Sequence, residues 1–186
     1  MLCLVRRLDH AMRQSKQFPL AILLLVLVCT VGCDQTSKYV ARGTLGADDS
    51  IRLPGGLGEF RLAENPGAFL SLGDSLSERL RLPIFTVGVG AGLLRCSGIS
   101  RVSWRLTCLS YVGLALAWSG GVSNLIDRLT RHSLVTDFIF VRVGPMHTGV
   151  FNVADTVIMI GIAMLALDFL KRRSSRSIEQ PQKERL

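Results

Sequence analysis

The familiar signatures of hydrolytic chemistry are missing from this 186-residue chain: it contains no G-x-S-x-G elbow, no S-x-x-K and no H-E-x-x-H. Catalysis by an activated serine or by a helix-borne zinc site is therefore not indicated. The three histidines are scattered, and the five cysteines (Cys3, Cys29, Cys33, Cys96, Cys108) include no C-x-x-C pair. Neither a zinc site nor a disulfide framework follows from them, and they read as small membrane-buried hydrophobes. Acidic residues are few, 14 against 22 lysines and arginines, for a formal charge of +8. The basic residues gather at the two ends and in one connection, beside apolar runs. That distribution orients a membrane protein and does not form a groove for phosphates, so no nucleic-acid partner is expected. No internal repeat stands out.

What the chain has in abundance is apolar sequence: 48% of its residues are hydrophobic and the mean hydropathy is +0.37. Both values suit a small polytopic membrane protein with one compact domain, residues 1–170, and a basic tail, 171–186. Four apolar runs read as spanning helices, at about 18–33, 82–98, 104–121 and 150–170, near the roughly 20 residues a bilayer core demands. The first follows Arg6, Arg7, Arg13 and Lys16 and resembles a secretory or lipoprotein leader, but three more apolar runs follow it and it reads as a retained helix. Arginines and lysines flank the cytoplasmic side: the N-terminal arm, the connection with Arg95, Arg101 and Arg105, and the tail. Both termini are thus expected in the cytoplasm, with residues 34–81 and 124–149 outside. The tail reads as disordered beyond its first turn. Within 34–81, the segment I-R-L-P-G-G-L-G-E-F-R-L alternates short apolar stretches with turn residues. It predicts a small extracytoplasmic sheet lying on the membrane.

Acidic and amide side chains cluster at the expected outer face: Asp34, Asn65, Asn124, Asp127, Asp137 and Asp155, with Asn152 beside the last. Carboxylates at the mouth of a membrane helix are costly to keep there and point to function. Two of them close together cannot both ionise cheaply, so one retains a proton, and a single residue type then supplies an acid and a base. Such a pair can activate water against a peptide carbonyl. The favoured pair is Asp137, held in the apolar segment L-V-T-D-F-I-F, and Asp155, with Asn152 three residues before it on the same helical face. The plainer alternatives are that Asp155 caps a helix and Asp137 occupies a turn. Asp127 and Arg128 equally read as a local ion pair, and Asp34 with Lys38 as an i to i+4 bridge. Asp168, beside Lys171 and Arg172 at the opposite face, reads as interfacial. Glu64, Asp48 and Asp49 read as solvated loop charges.

Five motifs then appear in order: D-Q-T-S-K at Asp34, N-P-G-A-F at Asn65, G-G-V-S-N-L-I-D-R at Gly120, V-T-D-F at Val135 and F-N-V-A-D at Phe151. Together they resemble the successive motifs of the bacterial lipoprotein signal peptidases, signal peptidase II. The resemblance implies an all-α membrane protein of four transmembrane helices with a small extracytoplasmic β-cradle between the first and second. It implies an aspartic endopeptidase of the inner membrane that cuts diacylglyceryl-modified prolipoproteins just before the lipidated cysteine. Asp137 and Asp155 match the family's catalytic pair. Asp34, Lys38, Asn65, Gly67, Gly120, Asn124, Asp127, Arg128, Asn152 and Ala154 match its supporting positions. Those positions orient the pair or bind substrate and inhibitors of the globomycin type. The implied protein works as a monomer among membrane lipids, near the periplasmic face, with no metal and no cofactor. Two departures stand out. Ser119 and Ser123 occupy places where the family's G-G-x-x-G-N has glycine, and Ser123 either loosens the packing there or returns a hydrogen bond. The family's N-x-G-A-A-F is shortened, with Pro66 stiffening the approach to Gly67.

Two other classes fit the bulk pattern. A small proton-coupled transporter or channel subunit would use intramembrane acids as a relay, but would spread them through membrane depth. A structural or assembly protein would tolerate asparagine in place of its aspartates.

Overall fold

The computed structural model describes residues 17–46, 49–66 and 106–183. The span expected at 82–98, the N-terminal arm and Gly67 lie outside them. Helix α1 is Gln17–Thr44, with Pro19 in its first turn, where a missing N–H costs nothing. Helix α2 is Cys108–Thr130, and the Thr107 hydroxyl caps it by accepting the Ser110 N–H at 3.1 Å. Helix α3 is Val153–Lys183. Each is long and apolar enough to cross a membrane, with α3 qualifying over Val153–Arg173.

The helices differ from their sequence-based limits in one consistent way. α1 runs past Cys33 to Thr44 and α2 past Gly121 to Thr130, so Asp34, Lys38, Asn124, Asp127 and Arg128 are helical, not in outer connections. Their polar side chains find partners on neighbouring helices, so nothing forces the helix to stop where the apolar run stops. α3 likewise continues to Lys183, through most of the tail expected to be disordered. Extending an existing helix needs no new nucleus, and an Arg172–Asp168 pair at 2.8 Å braces the exit.

Four strands form one antiparallel sheet in the order β1 (Ser50–Arg52), β2 (Gly58–Asn65), β3 (Val135–Val143) and β4 (Met146–His147). The cradle expected within 34–81 therefore takes two of its four strands from 135–147. The segment V-T-D-F-I-F-V-R-V, read from sequence as an apolar interface segment, is rich in β-branched and aromatic residues that suit a pleated surface. A tight reversal feeds it. α2 closes with the Ser133 N–H on the Arg128 carbonyl at 2.9 Å, and His132 (φ 50°) and Ser133 (φ 66°) take left-handed conformations usually left to glycine.

Small residues let α2 and α3 touch. A Cβ on Gly161 would strike the Gly113 carbonyl oxygen, and would lie 2.8 Å from the Ala117 nitrogen. A Cβ on Gly120 would lie 2.7 Å from the Ala154 carbonyl oxygen. Backbones this close gain dispersion contacts that lipid cannot match. Deeper in the bundle the fully buried Tyr111 donates its hydroxyl to the Pro19 carbonyl at 2.6 Å, tying α2 to the start of α1. Large apolar side chains point outward instead, among them Leu25, Val28, Met159, Ile162 and Phe169, as a lipid-facing surface requires. A second apolar cluster, Ala41, Leu45 and Phe138 with Phe60, Ile139 and Val153 packed on it, joins the end of α1 to the sheet and to the start of α3.

Gly161→Ala should cost about 1–3 kcal/mol, because its new methyl meets backbone that cannot yield. Gly32→Ala, whose added carbon would meet nothing within 4 Å, should leave stability unchanged or slightly raised. Denaturation midpoints in detergent compare the two, and equal effects would contradict the close-packing account.

Candidate active site

Two features of the fold build one buried polar centre at one end of the helices. β3 leaves the α2 reversal and runs back beside β2, pairing Asp137 with Ala63 and Val135 with Asn65. The residue before the α3 cap is pinned to β3: the Phe151 carbonyl accepts from Phe138 and Ile139 at 3.0 and 2.8 Å, and its N–H reaches the Ile139 carbonyl at 2.9 Å. That clamp sets the first turn of α3 against Asp137.

Asn152 and Asp155 cap α3 reciprocally. The Asp155 N–H donates to Asn152 Oδ1 at 2.9 Å, and the Asn152 N–H donates to Asp155 Oδ2 at 3.3 Å. The capping alternative for Asp155 is thus correct, and compatible with a second role, because the same carboxylate faces the centre. Asn152 Nδ2 also donates to Asp137 Oδ1 at 2.6 Å and Asn65 Nδ2 to Asp137 Oδ2 at 2.9 Å. Asn124 Nδ2 donates to Asp155 Oδ1 at 2.9 Å. Asp137 sits in a strand, not a turn, and only 1% of it is exposed, against 4% of Asp155.

Burial pushes the Asp137 carboxyl up to about 7, and the charge of Asp155 pushes the same way; the amides of Asn65 and Asn152 and the Lys38 ammonium pull it down without prevailing. Asp137 therefore keeps its proton up to near neutral pH.

Behind the pair lies a charged scaffold. Lys38 is wholly buried and spends its three N–H donors on Asp34 Oδ2 at 2.7 Å, Asp127 Oδ2 at 2.9 Å and Asn124 Oδ1 at 3.0 Å. The i to i+4 reading of Asp34 and Lys38 holds, but the bridge is buried and shared with another helix. Asp127 therefore has Lys38 as its ion-pair partner, in place of the expected local pairing with Arg128. Arg128 Nη1 donates to the Asn124 carbonyl at 3.3 Å, and its guanidinium feels the charges of Asp155, Asp137 and Asp127. Asp34 Oδ1 accepts the Ala154 N–H at 2.8 Å, linking the scaffold to the first turn of α3.

Of the residues singled out in the sequence, Asp34, Lys38, Asn65, Gly120, Asn124, Asp127, Arg128, Asp137, Asn152, Ala154 and Asp155 meet in or against this centre. Two others were not foreseen as part of it: Gln35 Nε2 donates to Asp127 Oδ1 at 3.0 Å, and the buried Thr136 gives its N–H to Asp127 Oδ2 at 3.3 Å. Of the two alternatives for Ser123, the hydrogen bond is the one formed, to Asp34 at 2.7 Å. Gln35 lay inside D-Q-T-S-K, one position from a carboxylate, and that adjacency was its signal. Thr136 contributes backbone, which no residue type announces. Asp168, expected at an interface, is only 7% exposed and accepts the Ser110 hydroxyl at 2.6 Å, about 20 Å along α3 from Asp155. Among the described residues no group of three or more histidine, cysteine, aspartate or glutamate side chains could hold a metal ion.

Among the described residues, three membrane-length helices and a small sheet define a multi-pass membrane protein, with the buried carboxyls of Asp137 and Asp155 at one end of the bundle. Residues 25–171 match the family model described as signal peptidase (SPase) II. The chain is 31% identical over 163 residues to the lipoprotein signal peptidase of Syntrophus aciditrophicus, covering 86% of this chain and 98% of that one. It is 34% identical over 160 residues to that of Geobacter metallireducens, covering 83% and 95%. A solved structure described as a bacterial membrane enzyme, determined by the in meso method, shares the fold with a TM-score of 0.71 at 24% identity, over 82% of this chain and 90% of that one. The chain belongs to the signal peptidase II family.

Two outcomes follow from the electrostatics. Infrared titration should show a protonated carboxyl with a midpoint near pH 7 that disappears in Asp137→Asn; a lowest midpoint near the ordinary 3.8 would contradict the burial argument. Because the folded carboxyl holds its proton more tightly than the unfolded one, this group's contribution to stability is complete below about pH 4 and is lost as pH rises toward 7. Lys38→Met should destabilise by about 3–5 kcal/mol, since it leaves Asp34 and Asp127 buried without their cation; unchanged denaturant midpoints would refute that.

Proposed function

We propose that this protein is an aspartic endopeptidase that removes the signal peptide from diacylglyceryl-modified prolipoproteins, cutting just before the lipidated cysteine. The observation that carries the reading is the pair Asp137 and Asp155, two buried carboxyls oriented by Asn65, Asn152 and Asn124. Family membership supplies the substrate class.

In this reading the substrate's acyl chains stay in the bilayer while its cleavage site enters between the sheet and the helix ends. The ionised member of the pair takes a proton from a water, whose oxygen attacks the scissile carbonyl. The protonated member passes its proton to the leaving nitrogen. Asn124 and Asn152 are already committed to the carboxyls, and they fix the geometry of the pair. Arg128, whose field reaches both aspartates, is the cation placed to offset charge growing on the carbonyl oxygen. No metal or organic cofactor enters the reaction. The protein works as a monomer surrounded by lipid and crosses the membrane four times, the second span being the one expected from sequence at 82–98, outside the described residues. Both termini lie in the cytoplasm and the centre lies near the periplasmic face of the inner membrane. Globomycin-type peptides would bind at the same centre.

Purified protein in detergent should release a leader that ends one residue before the lipidated cysteine. Asp137→Asn and Asp155→Asn should each slow cleavage at least about a hundredfold with the fold intact, the range expected for lost acid–base catalysis. Cleavage by wild type should fall as pH rises above about 7, when Asp137 loses its proton. Wild-type protein that does not cut, or variants that still do, would remove the peptidase reading or its residue assignment.

A further inference from the structure

Ser123 stands where the family's third motif has glycine, and the fold gives its hydroxyl a defined place. The side chain is completely buried between α1 and α2. Its Oγ donates to Asp34 Oδ2 at 2.7 Å and accepts from Gln35 Nε2 at 3.1 Å. Gln35 Nε2 reaches the Ser123 carbonyl at 3.2 Å and Asp127 Oδ1 at 3.0 Å as well. Asp34 thus receives two donors on one oxygen, the Ser123 hydroxyl and the Lys38 ammonium. Its other oxygen receives the Ala154 N–H. Ala154 is itself fully buried and immediately precedes Asp155, and its carbonyl lies against Gly120.

The Lys38 ammonium holds Asp34 Oδ2 from the same helix, whereas the Ser123 hydroxyl holds it from the facing one, and the two bonds together keep Oδ1 turned to the first turn of α3. Hydrogen bonds to a charged acceptor are roughly twice as strong as neutral ones, so the contact is worth keeping in a water-poor interior. We propose that Ser123 is a positioning residue of the reaction in this chain: acting through Asp34 and the Ala154 N–H, it fixes where the Asp155 carboxyl stands relative to Asp137. The proposal rests on the peptidase reading for its catalytic consequence. Its structural half, the clamp from α2 through Asp34 to α3, is independent of it. Without the Ser123 hydroxyl, the Asp34 carboxylate would be left to Lys38 and the Ala154 N–H.

The test uses full-length protein in detergent, comparing wild type with Ser123→Ala, Ser123→Gly and Ser123→Thr. Single-turnover and steady-state cleavage of a diacylglyceryl-modified prolipoprotein separate kcat from KM, and hydrogen–deuterium exchange of residues 153–156 reports on the first turn of α3. The Ala and Gly variants should lose about tenfold in kcat with KM within twofold of wild type, and their 153–156 amides should exchange faster. Ser123→Thr, which keeps the hydroxyl, should stay within about threefold in kcat and retain wild-type protection. Unchanged kcat in both Ala and Gly variants, a loss confined to KM, or equal losses in Ala and Thr would each overturn the positioning role. If wild type does not cleave at all, the peptidase reading fails by that result alone. The exchange contrast between the Ala and Thr variants then still decides the clamp, with equal exchange overturning it.

Discussion

A lysine ammonium with no access to water is the constraint around which this site is organised. Lys38 has three protons and three acceptors, two of them carboxylates on different helices, so α1 cannot rotate or slide against α2 without leaving a buried charge without a partner. Such a cluster contributes less to net stability than its short distances suggest, because burying each ion costs several kcal/mol. What it does provide is register. Asp34 passes the register to α3 through the Ala154 N–H, and Asp127 passes it to β3 through the Thr136 N–H. The elements that carry Asp137 and Asp155 are both indexed to one cation.

Groups near the paired carboxyls serve local structure and chemistry at once. Asp155 closes a capping box with Asn152, which holds its carboxylate at the first turn of α3 whatever lies opposite. Asn152 then reaches across to Asp137 with its amide nitrogen while its amide oxygen remains on the cap. Asn124 accepts a hydrogen bond from Lys38 on its amide oxygen and donates one from its amide nitrogen to Asp155. Amides suit these bridges because each offers a donor and an acceptor without adding charge. The two carboxyls are thus supplied with neutral donors close by, and the cations stand further back. That arrangement leaves burial dominant at Asp137 and keeps its proton near neutral pH.

The opposite end of the bundle is built on a smaller version of the same idea. Ser110 on α2 and Arg172 on α3 both donate to Asp168, and Tyr111 reaches back to the Pro19 carbonyl on α1. Between the two polar ends, Gly113 and Gly161 let the backbones of α2 and α3 approach directly. Polar ties at each end with small residues between them align the helices where the hydrophobic effect gives no preference, since lipid is as apolar as the side chains it would replace.

Much of this was legible in the chain itself. The apolar runs at 18–33, 104–121 and 150–170 announced three helices, because a bilayer imposes a length and a composition that show in sequence. The ordered motifs from Asp34 to Asp155 announced the family and the favoured carboxyl pair, since buried acids stand out against apolar surroundings. On which side chains would meet, the sequence was silent. The helix limits moved because polar residues past the apolar runs are satisfied by other helices, which no local pattern records. The V-T-D-F-I-F segment became a strand because β2, far away in sequence, lies beside it. Asp127 exchanged its neighbour Arg128 for Lys38, and Ser123, visible only as a departure from glycine, acquired a carboxylate to hold. Residue types and their spacing determined which groups were available for chemistry. Tertiary packing alone decided which of them meet, because hydrogen bonds and ion pairs depend on distances of about 3 Å between atoms that the chain separates by up to 120 positions.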